Sequence, residues 1–199
     1  LKKRLVRRIA ASVAVLGAAV AASLNAAPPA QAWCAQTGWW PTNYIYAGIG
    51  NQIPAGWDPA IKAGMNQWSN VPNANWTIYY TASTNVHITV SYRTPDIGFP
   101  GGAPGATKIV RSGPQTLSAA NVFLNPTWSW NLNGNFNEAN KVADVRTVAT
   151  HELGHQLLDH PWLCGLPMNG PETASVMNAN YTKKWTINAD DEHAVAYLK

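Results

Sequence analysis

Hydrophobic residues recur along residues 144–160 at helical spacing. Wound at about 100° per residue, Val142, Val145, Ala149, Leu153 and Leu157 fall on one arc. A stripe of that kind anchors a helix in a core. Residues 42–47 (T-N-Y-I-Y-A) alternate in polarity and predict a first strand. Asp58-Pro59 then predicts a helix start, with Asp58 as N-cap and Pro59 in the first turn. Ile61, Met65 and Trp68 supply the buried stripe of that helix. Residues 76–80 and 86–92 are rich in β-branched and aromatic side chains and predict two strands. His87, in the second of them, is expected to be structural. Residues 94–106 are a loop by glycine and proline content. Short strands follow at 108–111 and 119–125, then a polar stretch over 127–137. After the long helix, residues 161–173 predict a loop. Asn188 caps a last helix over 189–198, where Asp190, Asp191 and Glu192 complement its positive N-terminal end.

Opposite the apolar arc of the long helix stands a chemical motif, His151-Glu152-Leu153-Gly154-His155. Residues four apart on a helix lie one turn above each other, so both imidazoles leave the same face. Two neutral imidazoles held that way bind a zinc ion from one side. Glu152, rotated away, is then free to act as general base on water rather than as a ligand. A continuous helix would bring Asp159 onto the same face, but about 12 Å along the axis from His151. Ligands about 2.0–2.2 Å from one ion do not converge across that gap. The chain must therefore leave the helix at 156–158, and Pro161 ends helical conformation near His160. Asp144 lies on the histidine side, seven residues before His151. It is either an acceptor behind the ligands or a cap on the helix start.

Charge changes meaning once the first 32 residues are set apart. Lys2, Lys3, Arg4, Arg7 and Arg8 precede an alanine-rich apolar run that ends at Asn25, and Ala30-Gln31-Ala32 is a small-x-small cleavage site. This pattern predicts a secretory signal peptide over 1–32, the run being too short for a membrane span. Five of the 14 basic residues and none of the 10 acidic ones fall there, which leaves 9 against 10 in residues 33–199. A net charge near −1 gives no basis for nucleic-acid binding. The expectation is a secreted, monomeric single domain over 33–199, with no stable membrane association after cleavage. Its two cysteines, Cys34 and Cys164, favour a disulfide in an exported chain over two buried free thiols or a cysteine capping the zinc.

The segments T-V-A-T-H-E-L-G-H, L-D-H, S-V-M-N and D-D-E-H-A-V-A-Y-L together resemble a metzincin zinc peptidase, closest to the matrixins. The resemblance implies an α+β, zincin-type fold. It comprises a mixed twisted sheet, two long helices including an active-site helix with H-E-x-x-H, and a C-terminal helix. It implies one catalytic Zn2+ held by His151, His155 and a third residue, with Glu152 as catalytic base and a protein or peptide substrate. Met177, in S-V-M-N, takes the place of the family's methionine turn. Tyr181, four residues past Met177, is a candidate to help hold the oxyanion. The strand over 119–125 would present its edge to an extended peptide. The chain departs from the family at position 158, where Leu stands in place of glycine, and its histidine arrives one residue early. His160 matches the matrixin third ligand by its local text; Asp159 would match a snapalysin-like alternative. No latency segment is recognisable, and the 94–106 loop does not support a calcium requirement. A different class also fits, a catalytically inactive module whose exposed aromatics (Trp39, Trp40, Tyr44, Tyr46) contact an extracellular polymer.

Overall fold

The computed structural model describes residues 34–35, 38–160, 173–178 and 181–197. The signal peptide over 1–32, the Cys34–Cys164 pairing, the Asp159 side chain and most of the 161–173 loop fall outside what is described.

A mixed five-stranded sheet carries the molecule. Its strands are β2 (Tyr44–Ile49), β3 (Thr77–Tyr80), β4 (Ile88–Tyr92), β5 (Gly105–Gly113) and β6 (Thr116–Leu124), the label β1 being kept for Cys34–Ala35. Their order is β3-β2-β4-β6-β5. All pairs are parallel except β5 with β6, which run antiparallel from Gly105 opposite Leu124. In β2, Ile45 and Ala47 point into the core while Tyr44 and Tyr46 face solvent, the alternation expected of a half-buried strand.

Helices α1 (Asp58–Ser69) and α2 (Val145–Gly154) pack against each other, and α3 (Ala189–Tyr197) closes the chain. Ile61, Met65 and Trp68 are fully buried, as the stripe required. The helices approach closely at Gly64, where a Cβ would lie 2.9 Å from Thr150 Oγ1. The Trp68 indole locks the crossing by donating to the Thr150 carbonyl at 2.7 Å. The architecture is thus mixed α/β, with a mixed sheet and three helices among the described residues.

Several local expectations are corrected. Asp58 does not cap α1: the N-cap is Trp57 without a side-chain bond, and Asp58 sits inside the first turn, 3.8 Å from Lys62. Val142 is not helical. It belongs to β8 (Val142–Asp144), which pairs in parallel with β7 (Ser129–Asn131). The strand over 108–111 grows to nine residues, because pairing with β6 recruits glycines that carry no strand signal. β6 has no free edge, being flanked by β4 and β5; the outer strand beside it is β5. Trp40 is not exposed: it is 8% accessible, edge-on to His87. His87 stays structural, its Nδ1 accepting from the Tyr46 amide at 3.0 Å.

Candidate metal centre

Asp144 ends β8 in extended conformation and its carboxylate accepts the Thr147 amide at 2.7 Å, which starts α2 one residue later. The same carboxylate takes the Trp185 indole at 2.8 Å and the Gly134 amide at 2.9 Å. Of its two expected roles, capping is the one observed. The helix winds through His151 and Glu152 and stops at Gly154. His155 follows in a tight turn, with the Leu157 amide bonding to Gly154. A two-residue strand, β9 (Leu158–Asp159), then pairs antiparallel with β1, Cys34 opposite Asp159. Leu158, at the glycine position of the resemblance, is fully buried, and His160 comes next.

This path gathers three histidines. One ring nitrogen from each of His151, His155 and His160 lies within 4.8 Å of the others, and their ring centroids are 4.5–5.0 Å apart. Each Nδ1 sits against a backbone carbonyl: His151 on Val176 at 2.7 Å, His155 on Leu158 at 3.1 Å, His160 on Met177 at 3.2 Å. A carbonyl only accepts, so each Nδ1 carries the proton and each Nε2 keeps a lone pair. His151 is 2% accessible, and its Nε2 is buried without any hydrogen-bond partner. A buried acceptor without a partner is costly, and a divalent cation held by His151 Nε2 together with His155 and His160 removes that cost. The donor set therefore fits zinc, three imidazoles with room for a further ligand. Burial, reinforced by the neighbouring imidazoles, holds His151 well below the usual histidine range and His160 down to about 3. Both stay neutral, as ligands must.

Beneath the cluster runs a turn over 175–178. Met177 is fully buried against α2, where a Cβ on Gly154 would collide with its sulfur. Asp191 of α3 holds this turn, accepting from Ser175 Oγ at 2.7 Å and the Val176 amide at 2.9 Å. Asp191 also exchanges bonds with Asn188, amide to carboxylate and amide to side-chain carbonyl, each 3.1 Å. That is a capping box on α3. Burial pushes the Asp191 carboxyl up against these opposing bonds.

Glu152 lies in the wall of a cavity of about 560 Å3 that also exposes His155 and His160. Its Oε1 accepts from the Tyr181 hydroxyl at 3.0 Å. The Thr107 hydroxyl of β5 lies 2.8 Å from both Oε2 and the Glu152 carbonyl. Burial raises the Glu152 carboxyl above the ordinary range, against the pull of His155 and these two donors. Burial and the Glu152 charge push Tyr181 well up, so it remains a phenol and a donor. Its ring is 4.8 Å from His151 and stacks on Phe136 at 5.2 Å. Ile97, Pro100, Pro104, Trp128 and Phe136 make the rest of the cavity largely apolar.

The structure thus brings together His151, Glu152, His155 and His160, with Met177 and Tyr181 against them. Sequence reasoning missed Thr107 beside Glu152, and gave Asp191 a place at the start of α3 without its hold on the 175–178 turn. Only Asp191 had a signal, the N-x-x-D spacing from Asn188. No protein-family model matches the chain, and no curated protein matches it.

Proposed function

We propose that this chain is a zinc-dependent endopeptidase of the metzincin type, secreted and monomeric, acting on protein or peptide substrates. The observation that carries the reading is the partnerless Nε2 of buried His151, facing His155 and His160 beside a buried carboxylate. His151, His155 and His160 would hold the ion. Zinc, when bound, supplies Lewis acidity toward a peptide carbonyl and lowers the pKa of water to about 7.

The residues of the chain do the rest. Glu152, with its raised carboxyl, accepts the proton of the attacking water and returns it to the departing amine. Thr107 and Tyr181 fix the carboxylate from two sides, which supports a base held in one orientation. The Tyr181 phenol would donate to charge developing on the carbonyl oxygen by exchanging its Glu152 partner for it, while Thr107 keeps the carboxylate in place. The apolar cavity wall suits a hydrophobic side chain next to the cut.

The test is zinc content of the purified chain together with casein cleavage, with and without a chelator. One zinc per chain, chelator-sensitive cleavage and loss of about 10²- to 10⁴-fold activity in Glu152→Ala are expected. Stoichiometric zinc without cleavage would replace this reading by the inactive binding module. His160→Ala is expected to strip zinc far more than Asp159→Ala; the reverse would move the third ligand to Asp159.

A further inference from the structure

The cleft beside the histidines carries a charge that the proposed chemistry does not use. Apart from the histidines, its described lining holds two ionisable side chains that are charged near neutral pH, Glu152 and Glu138, and both are carboxylates. Glu152 is buried and held by Thr107 and Tyr181. Glu138 is exposed, so a ligand in the cleft can reach it. Asp96, next to Ile97 of the cleft wall, is already paired with Lys108. Among the described residues no cation lies within ion-pair distance of Glu138.

Backbone bonds fix where this carboxylate stands. Asn137 and Val142 exchange amide-to-carbonyl bonds of 2.9 Å, and the Lys141 amide donates to the Glu138 carbonyl at 3.0 Å. The turn so closed runs straight into β8 and then into α2, which carries His151 and Glu152. Phe136, two residues before Glu138, stacks on Tyr181 at 5.2 Å, and the Tyr181 hydroxyl bonds to Glu152 at 3.0 Å. All four side chains line the same cavity.

An apolar wall with an unpaired carboxylate at its exposed end fits a long cationic side chain. The methylenes of lysine or arginine lie along apolar surface while the charged head stays in water, where it meets Glu138. A neutral head gains nothing from that carboxylate, and an acidic one is repelled. We propose that Glu138 is a specificity-determining residue, selecting peptides with a lysine or arginine close to the cut. This rests on the peptidase reading and narrows its substrate class: a hydrophobic side chain fills the interior of the cleft, and a basic one takes its mouth.

The experiment compares quenched fluorogenic peptides of one parent sequence, with lysine, arginine, norleucine, citrulline or glutamate at each of three positions on either side of the cut. Norleucine and citrulline keep the length of lysine and arginine without the charge. At one position or more, the basic residue should exceed its neutral counterpart in kcat/KM by about fivefold, the reach of one exposed ion pair, with glutamate lowest. Salt at about 1 M should erase the difference, because the Debye length there is about 3 Å. Glu138→Gln should level the ranking while the norleucine peptide is cleaved at the wild-type rate, and Glu138→Lys should reverse it. Both variants keep the fold, since Glu138 holds its turn through its main-chain carbonyl. A ranking indifferent to charge, or one that persists in Glu138→Gln, would overturn the proposal. Binding is read separately by tryptophan fluorescence in the zinc-loaded Glu152→Ala chain. There the preferred basic peptide should bind about fivefold tighter than its neutral counterpart and lose that advantage when Glu138→Gln is added; equal affinities would also overturn it. A chain that cleaves no peptide sinks the peptidase reading alone, because the binding comparison still decides whether Glu138 selects a cation.

Discussion

Replacing Gly105 by alanine places one methyl group against the carboxylate that the proposed chemistry depends on. A Cβ at this position would lie 2.6 Å from Glu152 Cγ, 2.7 Å from its Oε1 and 2.8 Å from Val148 Cγ1. Ordinary contact begins near 3.4 Å, so Glu152 must retreat by roughly 0.8 Å, where van der Waals repulsion ceases. Its two tethers, the Thr107 and Tyr181 hydroxyls at 2.8 and 3.0 Å, do not both survive that shift. A misplacement of about 1 Å costs about 10²-fold in rate, or about 2.7 kcal/mol of barrier. The expected result for Gly105→Ala is a fall of that size in kcat on a fluorogenic peptide. KM should change little, and zinc should stay at one per chain, since the three atoms nearest the methyl belong to Glu152 and Val148. Overpacking of about 1–3 kcal/mol lowers Tm, so rates are compared well below the transition of the variant. A folded, zinc-loaded Gly105→Ala with wild-type kcat would refute Glu152 as a base fixed by this wall.

Three further outcomes follow from the same geometry. Tyr181→Phe keeps the stacking on Phe136 but removes the donor to Glu152; kcat should fall about tenfold with zinc retained, and steady-state kinetics beside metal analysis reads both. Asp191→Ala leaves the Ser175, Val176 and Asn188 donors unpaired. It should cost about 3 kcal/mol in urea unfolding and weaken zinc binding in a chelator competition, whereas unchanged metal affinity would separate the turn from the site. In the zinc-free protein, His151 and His160 stay neutral where the unfolded chain protonates near 6.5. Below pH 6.5, and for His160 down to about 3, the unfolded state therefore binds the extra protons, and stability falls as pH falls, by at most about 1.4 kcal/mol per pH unit per ring; urea midpoints across pH 4–8 that stay flat would contradict it.

What was legible in the chain was whatever repeats at short range. The buried stripe of α1 and the four-residue spacing of His151 and His155 come from periodicity, and both are found where the pattern put them. The cap on α3 by Asn188 rests equally on local chemistry. The ends of elements were less readable. Val142 satisfies a helical stripe as well as a strand, and its pairing with Ser129 decides the matter. Gly105 reads as loop, and only its place opposite Leu124 makes it strand. Thr107 reaches Glu152 across 45 residues, a contact with no local trace. Tyr181 and His160 were visible only through the family resemblance, because their positions depend on turns that periodicity does not describe.

The bonds between Asp191 and the 175–178 turn tie the three histidines to a helix that is synthesised after them. All three histidines leave the ribosome well before residues 189–197, yet the carbonyls that fix two of their tautomers are steadied only once that last helix has wound. A nascent chain stalled at residue 185 would own every nitrogen donor and grip an ion poorly. On the proposed reading, metal capture waits for this helix, and a premature stop just ahead of it is expected to yield a metal-poor protein.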